Sequence, residues 1–207
     1  MRIKGTLLGL AMMLASAPAM AAPIIYTFYG RLSGTLAGTP FDYAATTLTL
    51  QSDTNLVFQP LASDPDLFNT PLTVLDFVIG GTGGSFVSQF NAFSNTINPR
   101  NALVGFTEAG SSDLIDVNDQ SLAGYDLKSP VGPIFNFPLD FLNYGTLYQT
   151  SSGELVFAND DRAFIYFTAR LAAAGVPEPE SWALMIIGVG LVGGALRRQK
   201  PISFPAS

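Results

Sequence analysis

Any chemistry in this chain has to be done without cysteine or histidine, since its 207 residues contain neither. Without them there is no thiolate or imidazole ligand for zinc or haem and no disulfide, and a serine nucleophile has no imidazole base beside it. What remains is oxygen chemistry. The densest oxygen cluster is Asp113, Asp116, Asn118 and Asp119, and Ca²⁺ takes about six to eight oxygens on a sharply turning loop. The EF-hand pattern fails, because Ser121 stands where its glycine belongs and no glutamate closes the loop. The four residues therefore read as solvated turn residues, with Ca²⁺ as the alternative. Asp160-Asp161 and Asp64-Pro65-Asp66 make smaller claims of the same kind. No cofactor and no metal are expected.

Two carboxylates on either side of a glycosidic bond could hydrolyse it without histidine. Glu108 and Glu154 are the only glutamates between the two ends of the chain, and no sequence feature brings them together. Gly80-Gly81-Thr82-Gly83-Gly84 follows a strand, as a phosphate-binding loop does. Ser85-Phe86 then stands where Lys-Ser/Thr would be needed to reach phosphate and Mg²⁺, so a hairpin loop is the better reading. Tyr125, Tyr144, Tyr148 and Tyr166 could stack on sugar rings if one sheet face exposed them; otherwise they fill a core or its rim. No catalytic residue is assigned.

The elements that would position these residues read as strands. Between Ala22 and about Ala174 the chain is rich in Thr, Phe, Tyr, Val and Ile, with turn residues every eight to twelve positions. The clearest strand is 162–171, where Ile165, Phe167, Ala169 and Leu171 share one face and Arg162, Tyr166, Thr168 and Arg170 the other. In 41–51, Leu48 and Leu50 face inward while Thr47, Thr49 and Gln51 face outward. Further strands are expected at 24–29, 55–59, 72–79, 85–90, 101–107, 122–127 and 154–158, and 129–138 is expected to be a long connection. This pattern predicts an all-β domain over 22–175, an antiparallel sandwich or jelly roll. Residues 22–176 hold five basic and fourteen acidic residues, a net charge of −9, which argues against nucleic acid as a partner.

The two ends read as addresses. Arg2 and Lys4 precede an apolar run over 6–15, and Pro18 precedes small residues, the pattern of a secretory signal peptide over 1–21. Ala19 and Ala21 supply the small side chains that signal peptidase requires, which places cleavage after Ala21, with Ala19 or Ala22 as alternatives. At the other end, Pro177-Glu178-Pro179 is followed by fifteen apolar residues, 182–196, then by Arg197, Arg198 and Lys200, with 201–207 as a short tail. As a helix the apolar run is about 23 Å long, short for a ~30 Å hydrocarbon core. Trp182 at one interface and the snorkelling basic cluster at the other recover part of the difference, and the cluster stays cytoplasmic. Four glycines in the run suit a membrane helix better than a water-soluble one.

This order of Pro-Glu-Pro triplet, short Gly-rich helix and Arg-rich end over 176–200 resembles the PEP-CTERM sorting signal. The resemblance implies recognition by exosortase, a membrane-embedded processing enzyme, with cleavage near Pro177–Pro179. It also implies export across the inner membrane, transient anchoring there, and a final place at the cell surface or outside the cell among exopolysaccharide and biofilm. Gly34–Phe41, followed by Thr47–Leu50 and Asp53-Thr54, has the look of a hairpin in other such ectodomains, which have no common activity to carry over. The function expected is a non-catalytic surface or matrix protein associated with exopolysaccharide. The alternative is a carbohydrate-binding or Ca²⁺-dependent adhesive module.

Overall fold

Alternating burial along the first two strands sets the architecture. In the computed structural model, which describes residues 23–137, 139 and 141–172, β1 (Pro23–Leu36) and β2 (Thr39–Asp53) form a long hairpin. Its two-residue turn places Ala37 (φ 50) and Gly38 (φ 74) in the left-handed region, the mirror-image turn whose twist matches that of paired strands. Ile24, Tyr26 and Phe28 on β1 and Leu48 and Leu50 on β2 are fully buried, while the residues between them face outward. The hairpin look of 34–41 and the inward set on β2 are both as the sequence implies.

The remaining strands are β3 (Leu67–Asn69), β4 (Thr73–Ile79), β5 (Thr82–Asn95), β6 (Leu103–Glu108), β7 (Asp113–Asn118), β8 (Val131–Asn136), β9 (Phe141–Leu142), β10 (Leu147–Thr150), β11 (Gly153–Phe157) and β12 (Phe164–Leu171). Every pairing is antiparallel, and the only helices among the described residues are two 3₁₀ turns, Thr54–Leu56 and Gln120–Leu122. The all-β, antiparallel expectation holds.

The strands make one hydrogen-bonded sheet that rolls onto itself. Its path runs β10-β11-β1-β2-β4-β5-β6-β7-β9, and β5 meets β10 again at Phe86↔Thr150. The Ser151 N–H donates to the Ser85 carbonyl at 2.8 Å beside that join. Rolling brings distant strands face to face: the Phe28 ring meets Phe106 of β6 edge-on at 4.8 Å, while Phe167, its register partner on neighbouring β12, lies at 5.0 Å. Phe86 meets Phe90 at 4.9 Å and Tyr148 at 5.6 Å.

Three local expectations need correction. The strand expected over 55–59 is instead the 3₁₀ turn Thr54–Leu56, because Asp53 accepts the Asn55 N–H at 2.8 Å and captures the backbone; only Phe58 bridges, to Asn69. The strand expected over 122–127 is also absent. Asp119 caps Gln120–Leu122 and Asp126 accepts the Lys128 N–H at 3.0 Å, so Leu122, Tyr125 and Leu127 are buried from an irregular backbone. Conversely, the connection expected over 129–138 carries β8, which tolerates Pro133 because, among the described residues, it is an edge strand paired only with β12.

Candidate functional site

The site begins at an irregularity in β1. Residues 24–31 of β1 pair with β12, whereas residues 34–36 pair with β11, and the register against β2 shifts between Leu32 and Gly34. At the break, Ser33 faces the loop that joins β11 to β12, whose Ala158 N–H donates to the Ser33 carbonyl at 2.8 Å. The strands approach so closely here that a Cβ on Gly30 would overlap the Phe164 carbonyl, and one on Gly34 the Val156 carbonyl. A bulge of this kind re-aims a side chain.

Ser33 Oγ donates to Asp160 at 2.5 Å, with Asp42 at 3.4 Å, and accepts the Tyr43 N–H at 2.8 Å. Arg162 grips both Asp160 oxygens, at 2.9 and 2.8 Å, and also reaches Asp42 at 2.5 Å. These Arg162 contacts, then the Ser33 hydroxyl, hold the Asp160 carboxyl well below the usual carboxylate range. A carboxylate held ionised in this way is a poor general acid, and its lone pairs are already committed. The cluster fastens the start of β12 to the β1–β2 hairpin across 127 residues of chain. Arg31 and Arg162 also lie over the Tyr43 ring, at 5.3 and 5.2 Å. The sequence carries no signal that ties Ser33, Asp42 or Tyr43 to Asp160.

A cleft of about 430 Å³ adjoins this cluster, lined by Phe141, Tyr144, Asn159 and Asp161 among others. Of the four tyrosines singled out above, only Tyr144 lines it. Tyr125 and Tyr148 are core residues; burial, then the nearby Glu108 charge, pushes the Tyr148 hydroxyl up to about 12. Tyr166 lies on the outer sheet face, stacked on Tyr29 at 5.1 Å and against Phe135 at 4.8 Å. Phe137, Phe164 and Tyr43 extend this row of rings, at 6.5, 6.0 and 6.0 Å from their neighbours. Phe135 and Phe137 are 52% and 57% exposed.

The other sequence candidates are dispersed. Asp113, Asp116 and Asn118 are not turn residues but lie along β7, whose Leu114, Ile115 and Val117 fill the core. Thr107 donates to Asp113, and Asp119 caps its 3₁₀ turn by accepting the Ser121 N–H at 2.7 Å; the Ser121 hydroxyl, then that N–H, holds its carboxyl down. Among the described residues no group of three or more potential metal-ligating side chains forms. Glu154, on β11, accepts from Gln149 at 3.3 Å, whereas Glu108 ends β6, which pairs with β5 and β7 and not with β11. Gly80 and Gly81 make the β4–β5 turn with positive φ, while Gly83 and Gly84 already belong to β5.

Ala19, Ala21, Pro177, Glu178, Pro179, Arg197, Arg198 and Lys200 lie outside the described residues, as does the apolar run 182–196. Among the described residues no helix is long and apolar enough to cross a membrane. Residues 175–199 match the family model of the PEP-CTERM protein-sorting motif. The match takes in Pro177–Pro179, Arg197 and Arg198 and stops one residue short of Lys200. Neither a curated protein nor a solved structure matches the chain. The chain thus carries a sorting motif of the kind that exosortase recognises, a motif that marks exported proteins.

Proposed function

We propose that this is an exported, non-catalytic protein of the cell surface or extracellular matrix, sorted and processed by exosortase and associated with exopolysaccharide in biofilm. Signal peptidase removes 1–21, and the 182–196 helix holds the chain transiently in the inner membrane. The antiparallel domain over 22–175, of the sandwich or jelly-roll kind, is left outside. The observation that carries this reading is the sorting-motif match over 175–199. A non-catalytic role is favoured by the absence of histidine and cysteine and by the commitment of Ser33, Asp42 and Asp160 to one another and to Arg162.

Changing Pro177-Glu178-Pro179 to three alanines tests the sorting claim. Insertion and orientation depend on the apolar run and the basic cluster, which the change leaves intact. Immunoblots of membrane and medium are expected to show unprocessed chain accumulating in the membrane, and unchanged processing refutes exosortase recognition. The second reading, a carbohydrate-binding module, is favoured by the row of rings on the outer face of β8, β12 and β1. Its Ca²⁺-dependent form finds no supporting cluster among the described residues.

A further inference from the structure

Charge is not spread evenly over this acidic domain. Of the five basic residues in 22–176, Arg31 lies on the outer face of β1 and Arg170 on that of β12, while Arg162 sits at the edge of the same face. Along Ile25–Arg31 of β1, Ala45–Gln51 of β2 and Phe164–Arg170 of β12, no residue is acidic. Of the carboxylates that flank this face, Asp42 and Asp160 are paired with Arg162, while Asp76, which accepts the Ser85 hydroxyl at 2.6 Å, and Asp53, which accepts the Asn55 N–H, keep their charge at its margin. Arg162 is neutralised by its partners. Arg31 donates only to the Tyr43 carbonyl, at 3.0 Å, and neither Arg31 nor Arg170 forms an ion pair among the described residues.

The strand register fixes the spacing of these two charges. Arg31 lies opposite Phe164, and Arg170 lies opposite Ile25, so six residues of strand separate them, ~20 Å at ~3.3 Å per residue. Between them lie Tyr29, Tyr166, Thr27 and Thr168, with Phe135 alongside on β8. Mobile ions screen the domain's other acids beyond ~8 Å at physiological ionic strength.

We propose that this outer face is a binding track for an extended acidic polysaccharide. Sugar carboxylates pair with Arg31 and Arg170 while the sugar rings pack against the exposed aromatic side chains between them. This rests on the polysaccharide association proposed above and names both its site and its chemical class. Two charges ~20 Å apart span more than one sugar unit, which selects a polymer over a monosaccharide. Nucleic acid, whose affinity comes mainly from basic neutralisation of phosphates, is the competing polyanion that the poly(dT) arm of the test separates.

The test is native affinity electrophoresis of the full chain in neutral detergent, through gels containing polygalacturonate, dextran or poly(dT). Retardation by polygalacturonate, weakening with salt, is expected. R31Q/R170Q is expected to lose about tenfold in apparent affinity, F135S to weaken it as well, and R100Q to leave it unchanged. Because Arg31 also holds the Tyr43 carbonyl, R170Q alone, at an exposed strand end, serves as the second variant and is expected to weaken binding severalfold, with circular dichroism unchanged. Equal affinity for R170Q and R100Q overturns the track, as does tighter binding to poly(dT). Retention by dextran with the arginine variants unaffected also overturns it, yet leaves the polysaccharide association standing. Retention by no polymer overturns both, while processing at Pro177–Pro179 is read independently by immunoblot.

Discussion

Phe28 offers the sharpest test of how the sheet rolls. It is fully buried on β1, and its ring contacts Phe106, 78 positions along the chain on β6, at 4.8 Å and nearly perpendicular. Phe167, its register partner on β12, lies at 5.0 Å. Truncation to alanine removes the whole ring from a closed core, at a cost of about 3–5 kcal/mol. A domain of this size has only about 5–15 kcal/mol in total, so F28A is expected to be marginal or unfolded. The informative variants are therefore F28L and F106L, each expected to cost about 1–2 kcal/mol. An edge-to-face pair contributes about 0.5–1.5 kcal/mol beyond buried area, so the double variant should cost less than the sum of the singles by about that amount. Urea unfolding of residues 22–175, followed by far-ultraviolet circular dichroism, supplies the three free energies. Val87→Ala, at an outward position, should shift the midpoint by less than about 0.5 kcal/mol. Coupling within ~0.3 kcal/mol of zero would refute the packing of β1 against β6 and, with it, the rolled arrangement.

Three further outcomes follow from buried tyrosines. Tyr148 stays neutral in the fold up to about 12 against its ordinary value of 10.0, so its contribution is intact below pH 10 and lost as pH rises from 10 toward 12; urea midpoints should fall over that window, and less steeply in Tyr148→Phe. Tyr26 donates its buried hydroxyl to the Leu127 carbonyl at 2.6 Å, so Tyr26→Phe should cost about 1–2 kcal/mol. The Tyr125 hydroxyl is buried without a partner, so Tyr125→Phe should be neutral or stabilising by up to about 1 kcal/mol. Equal losses in the same unfolding assay would contradict these hydrogen-bond assignments.

What could be read without coordinates was whatever the chain encodes over a few consecutive residues. Alternation with period two identified the inward faces of β2 and β12 correctly, since successive strand residues point to opposite sides whatever the neighbours are. Leu171 and Arg162 are the exceptions: Leu171 shares the inward parity but lies exposed at the end of β12, where the sheet no longer covers it, and Arg162 lies in a turn before β12 begins. The sorting motif was legible for the same reason, because its triplet, apolar run and basic cluster are contiguous and act in that order. The short strands β3, β9 and β10 were not legible, being too brief to show a period. Nor was β7, whose carboxylates and asparagine alternate irregularly with buried Leu114, Ile115 and Val117.

Tertiary structure alone decided which neighbours each face meets. Nothing in the local pattern distinguishes Tyr148, buried against Phe86, from Tyr144, which lines an open cleft. Ser33 looks unremarkable until the bulge in β1 turns it toward a carboxylate 127 residues away. The acid-free face with its two arginines exists only once β1, β2 and β12 are in register. The physical reason is common to all three. Period tells a strand which side is in, but the register of long-range backbone hydrogen bonds and the rolling of the sheet choose the partner, and those depend on packing the whole core at once.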